Sequence, residues 1–128
     1  MSDPSDPLAW AARAEEDFAL AQSALRRKIP SAYGATFHAQ QCAEKYFKAL
    51  LVAHGAPFPK THDLAALSDL CFQVGVIIPV EQEALQRLAA YAVQVRYPGD
   101  DPTPDEARAA LQTARAVRRF ARQMLKSS

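Results

Sequence analysis

The sequence predicts an all-α protein, an up-and-down bundle of four long helices plus one short helix. Three observations predict it. Prolines stand at 4, 7, 30, 57, 59, 79, 98, 102 and 104, and the long stretches between them carry none. Proline removes a backbone donor and clashes inside a helix, so it marks helix edges rather than interiors. The proline-free stretches are rich in Ala, Leu, Glu, Gln and Arg, which lose least on entering a helix. No stretch alternates apolar and polar residues for long enough to make a half-buried strand.

The first helix is expected from about Pro7 to Lys28, with Asp6 as N-cap and Pro7 at the first helical position. Leu8, Ala11, Phe18, Ala21, Leu25 and Ile29 are expected to form its buried stripe. Glu15, Glu16 and Asp17 precede Arg26, Arg27 and Lys28, the order the helix dipole favours. The second helix is expected from about Ser31 to His54, stopping near Gly55. A shorter third helix follows Thr61-His62-Asp63 and ends near Gly75. The fourth is expected from near Pro79 to about Arg96, where Tyr97-Pro98-Gly99 breaks it. The fifth has the clearest start: Thr103 as N-cap, Pro104 in the first turn, and Glu106 three residues on to complete a capping box. Ala107, Leu111, Ala114, Val117, Ala121 and Met124 or Leu125 form its expected core stripe. Short connections favour antiparallel neighbours.

A chain of 128 residues is expected to form a single domain over 1–128, long enough to bury a core without metals or disulfides. A composition of 49% hydrophobic and 23% charged residues excludes a disordered chain. The net charge of +1 points to no particular partner. Cys42 and Cys71 lie inside apolar helical patterns and are expected as buried free thiols; without a C-x-x-C pair, zinc and redox motifs have no support. The first residues, Met-Ser-Asp-Pro-Ser-Asp-Pro, lack the basic and apolar regions of a signal peptide. No apolar run approaches the roughly 20 residues of a membrane span. The expectation is a cytoplasmic protein without a membrane partner, cofactor or metal.

Three motifs stand in order along the chain. The second helix carries Gln41-x-x-Glu44-Lys45-x-x-Lys48-x-Leu50-Leu51. Thr61-His62-Asp63-Leu64 follows, and Tyr91-x4-Arg96-Tyr97-Pro98 comes third. Together with the Thr/Pro-opened acidic start of the last helix, they resemble the HEPN family over nearly the whole chain. The resemblance implies an all-α bundle that commonly pairs into homodimers. It also implies association with a minimal nucleotidyltransferase encoded alongside, in a two-component, toxin–antitoxin-like system, and a link to nucleotides or RNA. Several branches of the family are ribonucleases with an Arg-x4–6-His motif. Arg96 matches the arginine, but the histidine positions hold Asp101, Pro102 and Thr103, and no histidine follows His62. Metal-independent cleavage of that kind needs a group that shuttles protons near neutral pH. The expectation is therefore a non-catalytic binding module. The alternatives are a divergent ribonuclease using Arg96 with Asp100, Asp101 or His62, and a purely structural dimerisation domain.

The candidate ligand- or partner-binding residues are Gln41, Glu44, Lys45, Lys48, His62, Asp63, Arg96 and Tyr97. On the second helix, Glu44, Phe37, Lys48, Gln41, Val52, Lys45 and His38 share a polar arc of roughly 120°. A solvated face with a Glu44–Lys48 i,i+4 pair is the plain reading. Phe37 and Val52 within it fit better under another helix or at a dimer contact. Thr61 or Asp63 is expected to cap the third helix, and His62 either bonds locally or joins Lys45 or Lys48 in an anion site. Arg96 complements a helix C-terminus or binds an anion, and Tyr97 packs locally or stacks on a base. In the last helix Arg108, Arg115, Arg119, Arg122 and Lys126 fall within a stripe roughly 60° wide, with Arg118 beside it and no acid after Glu106. Such a stripe is either a cationic track for RNA or phosphate, or a solvated face neutralised by acids on neighbouring helices.

Overall fold

A computed structural model describes residues 3–93 and 97–127, and among them every regular element is helical. Five helices follow one another: α1 (Pro7–Arg26), α2 (Ala32–Ala53), α3 (Leu64–Gln73), α4 (Gln82–Val93) and α5 (Pro104–Ser127). They form the up-and-down bundle the sequence predicts. α2 packs against all four others, α1 most extensively and then α5. α3 and α4 contact each other, and α1 and α4 each also touch α5.

Local chemistry sets most of the ends. Asp6 caps α1 by accepting from the Leu8 amide, and Ser31 caps α2 by accepting from Gly34 N at 3.0 Å. Asp63 caps α3 by accepting from Ala66 N at 3.1 Å. The capping box of α5 is present in both directions: Glu106 N donates to Thr103 Oγ1 at 3.0 Å, and Thr103 N donates to Glu106 Oε1 at 2.9 Å. α2 and α3 stop the same way. Gly55 and Gly75 take φ of 64° and 86°, and the next amides, Ala56 N and Val76 N, each donate to a carbonyl five residues back, on Leu51 and Cys71. This closing turn needs a left-handed residue, which glycine supplies without steric cost.

Two ends differ from expectation. α1 stops at Arg26 rather than Lys28, because Arg27 is already extended (ψ 154°) and the chain turns so that Ser31 N reaches Ala24 O at 2.9 Å. α4 begins at Gln82 rather than near Pro79; its first carbonyl acceptor is Glu81, which receives Leu85 N. The expected end of that helix near Arg96 lies outside the described residues.

Tyr46, Phe47, Leu50 and Leu51 of α2 form the centre of the core. Leu64 and Leu67 meet them from α3, Leu85 and Leu88 from α4, and Val117 from α5. The buried face of α1 consists of small residues around one ring: Ala14, Phe18, Ala21 and Ala24. The expected stripe on α1 needs correction at both ends. Leu8 is 67% exposed, at an open hollow that it shares with Tyr46 and Leu125, and Ile29 is 81% exposed because it lies beyond the helix. Asp17, assigned from sequence to an acidic cluster near the helix start, is buried in the same face as Ala14 and Ala21. The α5 stripe is as expected, with Ala107, Leu111, Ala114, Val117 and Ala121 buried and Met124 and Leu125 half-buried. Cys42 and Cys71 are buried free thiols, and burial pushes Cys71 up to about 12 and raises Cys42 as well. No described helix is long and apolar enough to cross a membrane.

Candidate functional site

The polar arc of α2 is not a solvated face. Gln40, Glu44 and Lys48 are buried, and Phe37, His38, Gln41, Lys45 and Val52 are half-buried; α1 brings Asp17 and Trp10 to this arc, and the α2–α3 connection brings Phe58 and His62. Buried charge is costly unless paired and hydrogen-bonded, and every charged side chain of the arc has a partner within the chain.

Glu44 is the centre of one network. Lys48 Nζ donates to Glu44 Oε2 at 2.8 Å, making the expected i,i+4 pair. His62 Nδ1 lies 2.6 Å from Glu44 Oε1 and Gln40 Nε2 donates to the same oxygen at 3.0 Å. An ionised carboxylate only accepts, so Nδ1 of His62 carries the proton. Gln41 Nε2 extends the chain by donating to Gln40 Oε1 at 2.7 Å. Burial alone would raise the Glu44 carboxyl. The hydrogen bonds from Lys48, His62 and Gln40 outweigh it and hold the group below the usual glutamate value. Above the pair, the Lys48 ammonium sits 5.7 Å from the ring centres of both Trp10 and Phe58, which meet edge to face. Lys48 is thus enclosed by a carboxylate on one side and two aromatic rings on the other, a favourable cation–π setting. His62 and Lys48 do come together as the sequence allowed. The anion they hold is the chain's own Glu44, so their expected anion site is already filled. The His62 side chain remains 54% exposed.

Asp17 is the centre of the second network. Lys45 Nζ reaches its Oδ2 at 2.5 Å and His38 Nδ1 its Oδ1 at 2.9 Å. Lys45 also lines a shallow hollow with Trp10, Arg13 and Pro4. Asp63 spends its side chain on the α3 cap, and its amide donates to Thr61 Oγ1 at 3.1 Å. Tyr97 is exposed rather than packed; its carbonyl accepts from Asp100 N while the ring faces solvent. Arg96 lies outside the described residues, so its expected place beside Asp100 and Asp101 is not described.

The third cluster joins α1, α2 and α5 around Glu15. Arg118 makes a two-pronged contact with it, Nε to Oε2 at 2.7 Å and Nη2 to Oε1 at 2.8 Å. Arg122 Nη1 adds a bond at 3.1 Å, and the Tyr46 hydroxyl donates to Oε2. The Arg118 hydrogen bonds chiefly, opposed by burial and assisted by Tyr46, hold Glu15 below the usual range; in turn Glu15 raises Arg118. The Arg118 guanidinium also stacks 4.6 Å from the Phe18 ring centre, with Arg115 at 5.8 Å. The cationic stripe of α5 is therefore unequal along its length. Arg108 pairs with Asp105 and Arg122 with Glu15, whereas Arg119 and Lys126 have no acidic partner among the described residues.

Asp17, Glu15, Gln40, Trp10 and Phe58 belong to these networks; the sequence pattern gives Glu15 and Asp17 only a helix-dipole role and the other three none. Asp17 carried a signal: it stands three residues after Ala14 and four before Ala21, on the buried stripe. Trp10 and Phe58 carried none, because they meet only when the α2–α3 connection folds over α1. Among the described residues no three His, Cys, Asp or Glu side chains are grouped so as to hold a metal ion.

The chain is similar to TT1696 from Thermus thermophilus, whose crystal structure superposes with a TM-score of 0.71 at 26% identity, covering 91% of this chain and 96% of that one. No curated protein matches it. The HEPN domain model matches residues 8–124, which takes in α1, all three sequence motifs and α5 to its last turn. The chain belongs to the HEPN domain family.

Proposed function

We propose that this HEPN protein is a non-catalytic binding module. It forms a homodimer, engages a minimal nucleotidyltransferase in a two-component, toxin–antitoxin-like system, and takes a nucleotide or RNA as a further ligand. One observation carries the non-catalytic part: the three positions where the ribonuclease histidine would stand are Asp101, Pro102 and Thr103. None of the three side chains is the imidazole that this chemistry uses. The family resemblance supports the dimer and the nucleotidyltransferase.

The test is light scattering on the purified protein, together with co-purification with a co-expressed minimal nucleotidyltransferase from the same genome. A mass of two chains and a stable complex are expected. A monomer at high concentration that ignores the partner would sink the reading.

A specific observation favours a second reading, a divergent ribonuclease. His62 is half-exposed and its Nδ1 is fixed by the buried Glu44 carboxylate, an orientation that leaves Nε2 as a base. RNA cleavage by the wild type that disappears in both Arg96→Ala and His62→Ala would establish it. Absence of cleavage in the wild type removes it.

A further inference from the structure

The fifth helix divides its two faces sharply. Ala107, Leu111, Ala114, Val117 and Ala121 are buried against the bundle, and Arg115, Arg119, Arg122 and Lys126 run along the flank beside that face, on the side where Glu15 and Phe18 of α1 meet the helix. With 100° per residue these four cations stay within roughly 60° of one another, and at 1.5 Å rise they span about 16 Å of helix. They line one shallow hollow of about 270 Å³ with Arg118 and Gln123. The nearest acid is Glu15, which engages Arg118 and Arg122 from the α1 side. Arg119 and Lys126 face solvent with no acidic partner among the described residues, and Arg115 meets the Phe18 ring. Arg122 and Lys126 also form one wall of a second hollow of about 460 Å³, with Leu8, Ala11 and Leu125 as its apolar part; Glu15 and Tyr46 line it too, the carboxylate held by Arg118, Arg122 and the Tyr46 hydroxyl. Cations in file beside an apolar recess match a ligand that carries regularly spaced negative charges and flat apolar groups.

We propose that the α5 face from Arg115 to Lys126 binds the phosphodiester backbone of a single-stranded nucleic acid. The recess beside Leu8 and Leu125 receives a base. The inference rests on the RNA part of the reading above and gives that ligand a place. Three features favour a polynucleotide over other anions. The cations advance along the helix in steps of about 4.5 to 6 Å, so they address successive charges on an extended chain rather than converge on one. They are mostly arginines, whose forked donors suit phosphate oxygens. The apolar face of α5 is committed to the core, so the helix cannot roll over and insert into a lipid surface as an interfacial helix does.

The experiment is fluorescence anisotropy of labelled twelve-nucleotide oligouridine and oligothymidine with the full chain, at salt from 25 to 250 mM. Binding should fall with salt at a log–log slope of about −0.7 for each phosphate neutralised, hence about −2 to −3 for three to four cations. Both oligonucleotides binding marks backbone recognition, and preference for oligouridine marks the ribose hydroxyl. Arg119→Glu with Lys126→Glu should weaken binding at least tenfold and flatten the slope by about 1.4. The variant should melt like the wild type, because neither residue has an acidic partner to lose among the described residues. No binding at 25 mM salt, or unchanged binding by the double variant, overturns the proposal. So does a face that ignores oligonucleotides and instead holds phosphatidylserine vesicles or the nucleotidyltransferase, with that binding lost in the double variant. Light scattering on the same samples reads the dimer separately, so failure here is distinguishable from failure of the binding-module reading.

Discussion

At Glu44, burial and hydrogen bonding pull in opposite directions, and hydrogen bonding wins. The folded carboxyl therefore titrates below its unfolded value near 4.5. A group depressed in this way stabilises the fold above the unfolded value and loses that contribution as pH falls through the folded one. Glu44→Gln should accordingly flatten the acid limb of stability below about pH 4.5, measured as urea unfolding midpoints across pH. Glu44→Ala is harsher, since it leaves the buried Lys48 ammonium and the Gln40 amide without their acceptor. The expected cost is about 3–5 kcal/mol, read by the same titration at pH 7. A loss below about 1 kcal/mol would mean that Lys48 finds water instead. The residue types of this site were legible in the sequence, since Gln41, Glu44, Lys45, Lys48 and His62 all stand in the motifs. One partner was legible too, the i,i+4 Glu44–Lys48 pair. The others were not: Asp17 lies on α1, away from Lys45 and His38 on α2, and His62 lies in the connection beyond α2 from Glu44, so only the packed bundle brings them within 3 Å.

The helices illustrate a different balance. Caps are local, so the chemistry that ends a helix lies within four or five residues of it and can be read directly. Asp6 and Thr103 cap where the sequence pattern places them, Asp63 is the one of the two expected candidates that caps α3, and Ser31, read only as the start of α2, proves to be its cap. Thr103→Ala should remove one side of the capping box and cost about 1 kcal/mol. Gly75→Ala should cost about 1–3 kcal/mol through backbone strain alone, because an added Cβ would meet nothing within 4 Å. Thermal melts of the two variants separate these effects: the first should lower helicity locally in α5, and the second should leave it unchanged. The misread ends are those where tertiary contact decides. Even so, the end of α1 has a local cause as well: the Pro30 ring would clash with the Arg26 carbonyl in a continuing helix, and from the extended Arg27 the chain turns to deliver Ser31 to the start of α2.

For the molecule as a whole, the Glu15 cluster links parts of the chain 103 residues apart. It fastens α1 to α5 across the edge of α2, where Tyr46 adds its hydroxyl. The direct α1–α5 contact is small beside the α1–α2 contact, so a polar tie contributes a larger share of that interface. A double-mutant cycle on Glu15→Gln and Arg118→Gln should give a coupling of about 1 kcal/mol, the upper end for a partly exposed pair. A coupling near zero would leave stacking on Phe18 as the reason for the position of Arg118.

The sequence by itself determined the helical class, the number of helices, most of their caps and the family, because each of these depends on residues close together in the chain. Periodicity also placed the α5 core stripe correctly, since a long helix repeats its signal many times. Only the tertiary structure decided the state of the charges. It showed that the polar arc of α2 is covered and internally paired, and that an acid from α1 neutralises part of the α5 stripe. The same packing leaves Arg119 and Lys126 facing solvent. Pairing of charges depends on distances across the bundle, and no pattern along one helix contains them.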